Sequence, residues 1–226
     1  VLSPIKNLVK VPENLDDNLA VFTEPASVAL HGYNHAKQDR KFDSVIILGL
    51  GPIGILLAAW CKLNKISNVI GIDRNENRFK NFKDLGFENT IDTSKGNFEE
   101  KIKIFTNKDL AEIAFECSGS EELLNKGIQS IKKGGKMILL SNQIKNSTLS
   151  KETLNKIIRH EIQIKGSWSS VIEPHNEWEE SLYMMKNKKL EIKNLISHNF
   201  KFSDAPKLFK SMYKKEFKFS KVILSL

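Results

Sequence analysis

The sequence predicts an α/β fold built on a doubly wound sheet of six parallel strands. From about residue 43 onward, short apolar runs alternate with segments of helical periodicity, which is typical of βαβ units. The runs are nearly continuous in apolar residues, as expected for parallel strands that are buried on both faces. The two ends of the chain do not follow this alternation.

Six strands and their connecting helices can be placed in order. The predicted strands are Val45–Gly49, Val69–Asp73, Thr90–Ile91, Glu112–Glu116, Lys136–Leu140 and Ile162–Gly166. The predicted helices between them are Ile53–Leu63, Glu76–Leu85, Phe98–Phe105, Glu121–Ile131 and Lys151–Ile158. Strands and helices in this alternation predict a sheet with helices on both faces.

The two ends predict parts of a second folding unit. Val11–Ala20 is bounded by a proline and is typical of a short helix, and a longer helix is expected from about Pro25. Near the carboxyl terminus we expect helices at Glu177–Lys186 and Asp204–Lys214 and a strand at Ser220–Leu224, with a linker between the two helices. Neither end can build a core alone. The predicted division of the chain is therefore residues 1–25, 26–168 and 169–226.

Composition excludes several classes of protein. With 226 residues, 40% hydrophobic and 27% charged, the chain is neither disordered nor membrane-spanning, since no apolar run approaches the ~18 residues that a membrane helix needs. Two cysteines without a C-x-x-C spacing exclude a disulfide framework and favour the cytoplasm. The net charge of +8 comes mostly from dispersed lysines, with only four arginines, so we expect no nucleic-acid partner.

The motif G-L-G-P-I-G follows the first predicted strand and begins a helix. Gly49 permits a tight turn, Gly51 lets the backbone approach a pyrophosphate, and Gly54 lets helix and strand pack closely. The pyrophosphate would lie against the amino end of the helix near Ile53, where free N–H groups favour anions. The motif predicts a dinucleotide site.

An acidic residue stands where such a site needs one. Asp73 ends the second strand, about 20 residues after the last glycine, where a carboxylate accepts hydrogen bonds from the adenosine ribose. The carboxylate would repel a 2′-phosphate, which favours NAD over NADP, although the adjacent Arg74 softens that preference. The alternative is that Asp73 only caps the helix near Glu76, and we favour the cofactor role.

Neither cysteine has a nearby histidine or a second ligand at metal spacing. Cys61 lies inside a predicted core helix and is assigned to packing. Cys117 ends a strand that faces the cofactor crevice, so we expect it to touch the cofactor without taking part in chemistry.

Several stretches, taken in order, are similar to one family. They are E-P-A-S-V-A-L-H-G at Glu24–Gly32, then G-P-I-G, D-R-N-E-N-R, E-C-S-G, G-G-K and S-H-N-F-K-F-S-D-A-P-K-L-F. On these residues the chain resembles the zinc-dependent medium-chain alcohol and polyol dehydrogenases. Within that family, Lys156–Trp168 and Asn176–Leu182 are most similar to galactitol-1-phosphate and sorbitol dehydrogenases.

The resemblance implies a Rossmann domain between partial segments of a GroES-like catalytic domain. Relatives are longer, and their first third supplies the Cys and His-Glu ligands of a catalytic zinc, which this sequence does not contain. We therefore expect a truncated chain that binds NAD but is inactive alone. The resemblance also implies a homodimer or homotetramer.

The resemblance assigns roles to individual residues. Glu24 matches an acidic residue that binds the catalytic zinc or holds its water; its alternative role is a cap or an ion pair on the following helix. Asp73 and Arg78 match the pair that binds the adenosine ribose, and Ile53 should lie under the pyrophosphate. Two turns match those that line the nicotinamide: Leu140, Ser141 and Asn142 after the fifth strand, and Ser167, Trp168 and Ser169 after the sixth. Most relatives carry glycine where Ser141 stands.

The activity that the resemblance implies is the NAD-dependent oxidation of a polyol or polyol phosphate, such as galactitol 1-phosphate, to a ketose. In the family, zinc polarises the alcohol and the nicotinamide accepts the hydride. Two alternatives stay open: a non-catalytic NAD-binding module, and a zinc-free reductase of the same superfamily. The latter usually lacks the Glu24–Pro25 motif.

Overall fold

Six parallel strands form the central sheet, in the order β3-β2-β1-β4-β5-β6. The computed structural model describes residues 3–37, 41–142 and 146–226. The strands are β1 Ser44–Leu48, β2 Asn68–Asp73, β3 Thr90–Asp92, β4 Ala111–Glu116, β5 Ile131–Leu139 and β6 Gln163–Gly166. The order runs outward in opposite directions from β1 and β4, so the predicted doubly wound Rossmann fold is confirmed.

Helices cover both faces of this sheet. The α-helices in the described part of the chain are α1 Asp17–Ala20, α2 Thr23–Lys37, α3 Pro52–Leu63, α4 Phe79–Asp84, α5 Phe98–Phe105, α6 Glu121–Gln129, α7 Lys151–His160, α8 Glu177–Lys186 and α9 Ala205–Tyr213. On one face, Phe22, Trp60, Phe82 and Leu182 belong to a single buried cluster. The other face is covered by a second cluster that includes Ile128. The sheet is therefore buried on both sides, as its apolar strands predict.

Several predicted boundaries differ from the structure; the helix predicted within Val11–Ala20, for example, is the short α1. The helix predicted at Glu76–Leu85 is a 3-10 turn, Glu76–Arg78, followed by α4. The helix predicted to reach Ile131 ends at Gln129, because Ile131 is fully buried and pairs with Ala111 as the first residue of β5. The start of β5 is hard to predict because the strand is irregular there: Gly134 has a φ of +70°, and the pairing with β4 shifts register between Ala111 and Ile113.

A second, two-stranded parallel sheet joins β7 Ile196–Lys201 to β8 Lys221–Ser225. The terminal strand was predicted, but β7 lies in the stretch assigned to a linker, and that assignment is wrong. Aromatic contacts support this sheet: the ring of His198 lies 5.9 Å from Phe200 and 4.9 Å from Phe217. The ring contact with Phe217 joins β7 to the segment that leads into β8.

α8 packs on α2, and Leu182 and Met185 of α8 are buried in the same cluster as α3. The region after β6 thus contributes to the core on one face of the sheet. The domain boundary after residue 168 stays a prediction. In the described part of the chain, no helix combines the length and the apolar character needed to span a bilayer.

Candidate dinucleotide-binding site

The glycine-rich loop connects β1 to α3, and its conformation and packing require glycine at two positions. Gly49 has a φ of +96°, and a Cβ there would lie 2.9 Å from the Cβ of Ser118. A Cβ on Gly54 would lie only 2.0 Å from the carbonyl oxygen of Gly49. Gly51 differs, because no atom lies within 4 Å of where its Cβ would be. The loop is closely packed at both ends and open in the middle.

The open part of the loop lies at the amino end of α3. Gly51 is the N-cap residue, no side chain caps the helix, and Pro52 follows in the first turn. Ile53 is partly buried and packs against the core. The backbone N–H groups of the first turn and the helix dipole therefore favour an anion there.

Asp73 is buried at the end of β2 and joins the glycine-rich loop to the turn after β2. Its carboxylate accepts hydrogen bonds from the backbone N–H groups of Leu50 at 2.9 Å and Asn75 at 2.8 Å. Arg78 donates to its Oδ2 at 3.0 Å. The structure thus brings together Asp73, Arg78 and the glycine-rich loop, and Asp73 also caps the turn at Asn75.

Glu116 occupies the corresponding position at the end of β4 and is not among the site residues predicted from the sequence. The side chain is fully buried. Its Oε1 accepts from the backbone N–H of Ser118 at 2.8 Å, the hydroxyl of Ser118 at 2.6 Å and the backbone N–H of Gly119 at 3.0 Å. Its Oε2 accepts from the hydroxyl of Ser141. A signal was present in the sequence: an acidic residue ends an apolar strand and precedes C-S-G.

The two predicted nicotinamide turns lie beside each other, since β5 pairs with β6. Leu140 packs towards Gly32 of α2, and Ser141 is held by Glu116, while Asn142 is exposed. In the second turn, Ser167 is buried and its hydroxyl is one of three buried side-chain polar atoms without a partner in the described residues. Trp168 is 78% exposed and Ser169 has a φ of +60°. The unpartnered hydroxyl of Ser167 fits a site that a ligand completes.

Neither cysteine has the lowered thiol pKa that a nucleophile needs. Burial raises the pKa of the Cys117 thiol well above its ordinary value, and the neighbouring Glu116 carboxylate and Cys61 raise it further. Burial also raises the pKa of the Cys61 thiol. Both thiols are therefore protonated near neutral pH and are weak nucleophiles.

We expect both thiols of the folded chain to react with Ellman's reagent at about pH 7.5 more slowly than in the urea-unfolded chain, by about tenfold or more. The single-thiol variants Cys61→Ser and Cys117→Ser assign each rate. Cys61 is buried and Cys117 is half-buried, so rapid reaction of Cys117 in the folded Cys61→Ser variant would contradict the raised pKa of its thiol.

Glu24 is exposed in the first turn of α2, which begins at Thr23, two residues before the predicted start near Pro25. Its position in the first turn suits an interaction with the helix dipole. Across residues 3–37, 41–142 and 146–226, no group of three His, Cys, Asp or Glu residues is arranged to hold a metal ion. The zinc-site role of Glu24 stays a prediction.

A second buried carboxylate that was not predicted from the sequence, Glu177, joins α2 to α8. Glu177 accepts hydrogen bonds from Asn34 at 2.9 Å and from the backbone N–H of Val171 at 2.9 Å, and it contacts Nδ1 of His31 at 3.1 Å. No local pattern reveals this cluster, because His31 and Asn34 lie more than 140 residues from Glu177. Its effect is to fix α8 over the face of the sheet.

Two cavities in the described part of the chain lie away from the carboxyl edge of the sheet. One, of about 460 Å³, lies between α1, α4 and the segment after α8, and the other, of about 510 Å³, lies beside α8. Neither is lined by the glycine-rich loop, Asp73 or the turns after β5 and β6. We place the site at the sheet edge, because the helix amino end, the buried carboxylates and the strand reversal meet there.

The fold and this arrangement of loop and carboxylate define the class of Rossmann-type dinucleotide-binding domains. The family model of the zinc-binding dehydrogenases matches residues 52–187, which is more than half of the chain. The chain therefore belongs to the zinc-binding dehydrogenase family.

The chain is similar to a curated relative by sequence and to solved structures by fold. The sorbitol dehydrogenase of Halalkalibacterium halodurans is 28% identical over 210 residues, which cover 92% of this chain and 60% of the relative. The galactitol-1-phosphate dehydrogenase of Escherichia coli superposes with a TM-score of 0.88 at 22% identity, over 98% of this chain and 64% of that one. A short chain alcohol dehydrogenase of Escherichia coli CFT073, solved with NADH, superposes with a TM-score of 0.86 at 22% identity, over 99% of this chain and 64% of that one. The chain spans about three fifths of the length of these relatives.

Proposed function

We propose that this chain binds NAD as the cofactor-binding part of a dehydrogenase. The observation that carries the proposal is the open approach at Gly51, at the uncapped amino end of α3 and next to the buried carboxylate of Asp73. A pyrophosphate fits the amino end of α3 at Gly51, and a ribose diol fits the carboxylate of Asp73.

The strand order determines how the cofactor would extend from the pyrophosphate site. The adenosine half would lie over β1, β2 and β3, where Asp73 and Arg78 are found. The nicotinamide half would cross to the loops after β4, β5 and β6, where Ser167 has its unpartnered hydroxyl. NAD, when bound, supplies the hydride acceptor. The chain's own residues hold its two halves on either side of the point where the strand order reverses.

Asp73 should discriminate between the two nicotinamide cofactors. Its carboxylate already accepts from Leu50, Asn75 and Arg78, so a ribose hydroxyl adds a donor, whereas a 2′-phosphate adds a second anion. We therefore propose NAD as the preferred cofactor, with Arg74 and Arg78 moderating the exclusion of NADP.

We expect Asp73→Ala to weaken NADH binding by about 1.5–3 kcal/mol, the usual cost of losing charge-assisted hydrogen bonds. Isothermal titration calorimetry of the chain with NADH and NADPH measures this loss, and the preference for NADH should fall at the same time. An unchanged affinity for NADH would remove Asp73 from the site.

Asp92→Ala is the matched control for this variant. Asp92 ends β3 and accepts from the backbone N–H of Ser94 at 2.9 Å, as Asp73 accepts from Asn75. The other partners of Asp92 are the Ser94 hydroxyl and Lys95, whereas Asp73 also accepts from Leu50 of the glycine-rich loop. Both variants lose a cap on a turn, and only Asp73→Ala should lose affinity for NADH. An equal loss in both variants would show that the effect comes from the turns.

The substrate class follows from the relatives and is a proposal. We propose the oxidation of a polyol or polyol phosphate to a ketose, because the relatives include a sorbitol dehydrogenase and a galactitol-1-phosphate dehydrogenase. Assembly as a dimer or tetramer, as in the family, is likewise a prediction.

A panel of polyols and polyol phosphates tests the substrate class, with NAD reduction followed on the complete gene product in the presence of zinc. Turnover of a polyol phosphate but not of the free polyol would establish the phosphorylated substrate. Tight NADH binding without turnover of any alcohol would favour the non-catalytic module. Turnover by metal-free protein, verified by metal analysis, would favour the zinc-free reductase.

A further inference from the structure

Glu116 lies where three loops at the carboxyl edge of the sheet meet. It holds Ser118 and Gly119 of the loop after β4 through Oε1, and Ser141 of the loop after β5 through Oε2. Ser118 in turn lies against Gly49, where a Cβ would be 3.0 Å from its backbone nitrogen. Glu116 thus joins the β4 loop directly to the β5 loop, and it reaches the glycine-rich loop only indirectly, through the packing of Ser118 against Gly49.

Ser141 completes this connection. Its hydroxyl donates to Glu116 and accepts from the backbone N–H of Gly119 at 2.9 Å. The backbone N–H groups of Leu140 and Ser141 both donate to the carbonyl oxygen of Glu116, at 2.9 Å and 3.2 Å. The two loops are therefore joined by a closed set of hydrogen bonds around one carboxylate, and such a set holds its members in one geometry.

We infer that Glu116 is a positioning residue that fixes the nicotinamide half of the site, acting through Ser141 and Gly119. This inference rests on the proposed binding of NAD. The adenosine half is held by a separate carboxylate, Asp73, at the end of β2. Loss of the Glu116 connection should therefore weaken the binding of the whole dinucleotide and leave the binding of ADP-ribose, which lacks nicotinamide, almost unchanged.

The chain contains a matched control on the same strand. Glu112, at the amino end of β4, also joins two neighbouring elements: it accepts from the backbone N–H groups of Asp43 and Ser44 at the start of β1 and from Lys132 near the start of β5. Ser130 similarly stands before β5, as Ser141 stands after it, and its hydroxyl donates to the carbonyl oxygen of Lys126. Glu112→Ala and Ser130→Ala remove similar bonds at the opposite edge of the sheet.

The experiment measures the affinities of NADH and ADP-ribose for the chain and its variants by calorimetry. We expect Glu116→Ala to lower the affinity for NADH by about tenfold or more, and Ser141→Ala to lower it by about threefold or more. In both variants the affinity for ADP-ribose should change by less than about twofold. Glu116→Gln keeps an oxygen for Ser118 and Gly119 and should restore part of the NADH affinity. Glu112→Ala and Ser130→Ala should lower the melting temperature without changing the ratio of the two affinities.

Two results would overturn the inference while leaving the proposed function intact: equal losses for NADH and ADP-ribose in Ser141→Ala and Glu116→Ala, or no loss for either ligand. An NADH-selective loss in Glu112→Ala would also overturn it. If the unaltered chain binds neither ligand, the proposed function fails, and the inference fails with it. Ser141→Ala keeps the test decisive if Glu116→Ala does not fold, because it leaves the buried carboxylate and its Oε1 contacts in place.

Discussion

Gly51→Ala is expected to reduce the affinity for NADH by about 2–3 kcal/mol, or roughly thirtyfold or more, without lowering the melting temperature. Gly51 has a φ of −69° and a ψ of −175°, which alanine adopts without strain. Its Cβ would meet no protein atom within 4 Å, so the folded chain accommodates the methyl group. The same methyl group would occupy the space through which a pyrophosphate reaches the amino end of α3.

Calorimetric titration with NADH and ADP-ribose measures this effect, and a thermal melt verifies the fold. Both ligands contain the pyrophosphate, so both affinities should fall together. This common loss differs from the NADH-selective loss expected for Glu116→Ala. Unchanged affinity for both ligands in a folded Gly51→Ala variant would exclude the glycine-rich loop as the pyrophosphate site.

Gly54→Ala is expected to destabilise the chain by about 2–4 kcal/mol, which lowers the melting temperature of a domain of this size by about 5–15 °C. The alanine Cβ would lie 2.0 Å from the carbonyl oxygen of Gly49, far inside any permitted contact. A backbone oxygen cannot rotate away as a flexible side chain can, so α3 must move relative to β1. Because α3 carries the buried Trp60, the displacement would also disturb the core.

Differential scanning calorimetry of Gly54→Ala against Gly166→Ala tests this prediction. Gly166 ends β6, and a Cβ there meets nothing within 4 Å, so the control variant should melt within about 2 °C of the unaltered chain. A Gly54→Ala variant with the same melting temperature as the control would show that the loop can relax without cost.

The central sheet and half of the site are predictable from the sequence because their signals are local. Continuous apolar runs mark the strands, and the glycine spacing and Asp73 lie within one βαβ unit. The ends of the helices and strands are harder to predict, since Ile131 begins a strand only because it pairs with Ala111, 20 residues earlier in the chain. The strand β7 has little apolar content of its own and depends on β8, which follows more than 20 residues later.

The buried carboxylates show a second limit of sequence reasoning. Glu116 precedes two of its donors, Ser118 and Gly119, by only two and three residues, so this part of its role was within reach of a local sequence pattern although it was not predicted. Its bond to Ser141 comes from a different loop, 25 residues away. Burial and distant donors depend on which loops the topology brings together, and periodicity contains no information about that.

The contact of Glu177 with α2 has a consequence for the order in which the chain folds. His31 precedes β1, Glu177 follows β6, and 146 positions separate them. Closing so long a loop costs entropy that is recovered only when the intervening segments are already ordered. The bonds from His31 and Asn34 to Glu177 should therefore form late, after the six strands have assembled. The protection of the α8 amides during refolding would then report the completion of the sheet.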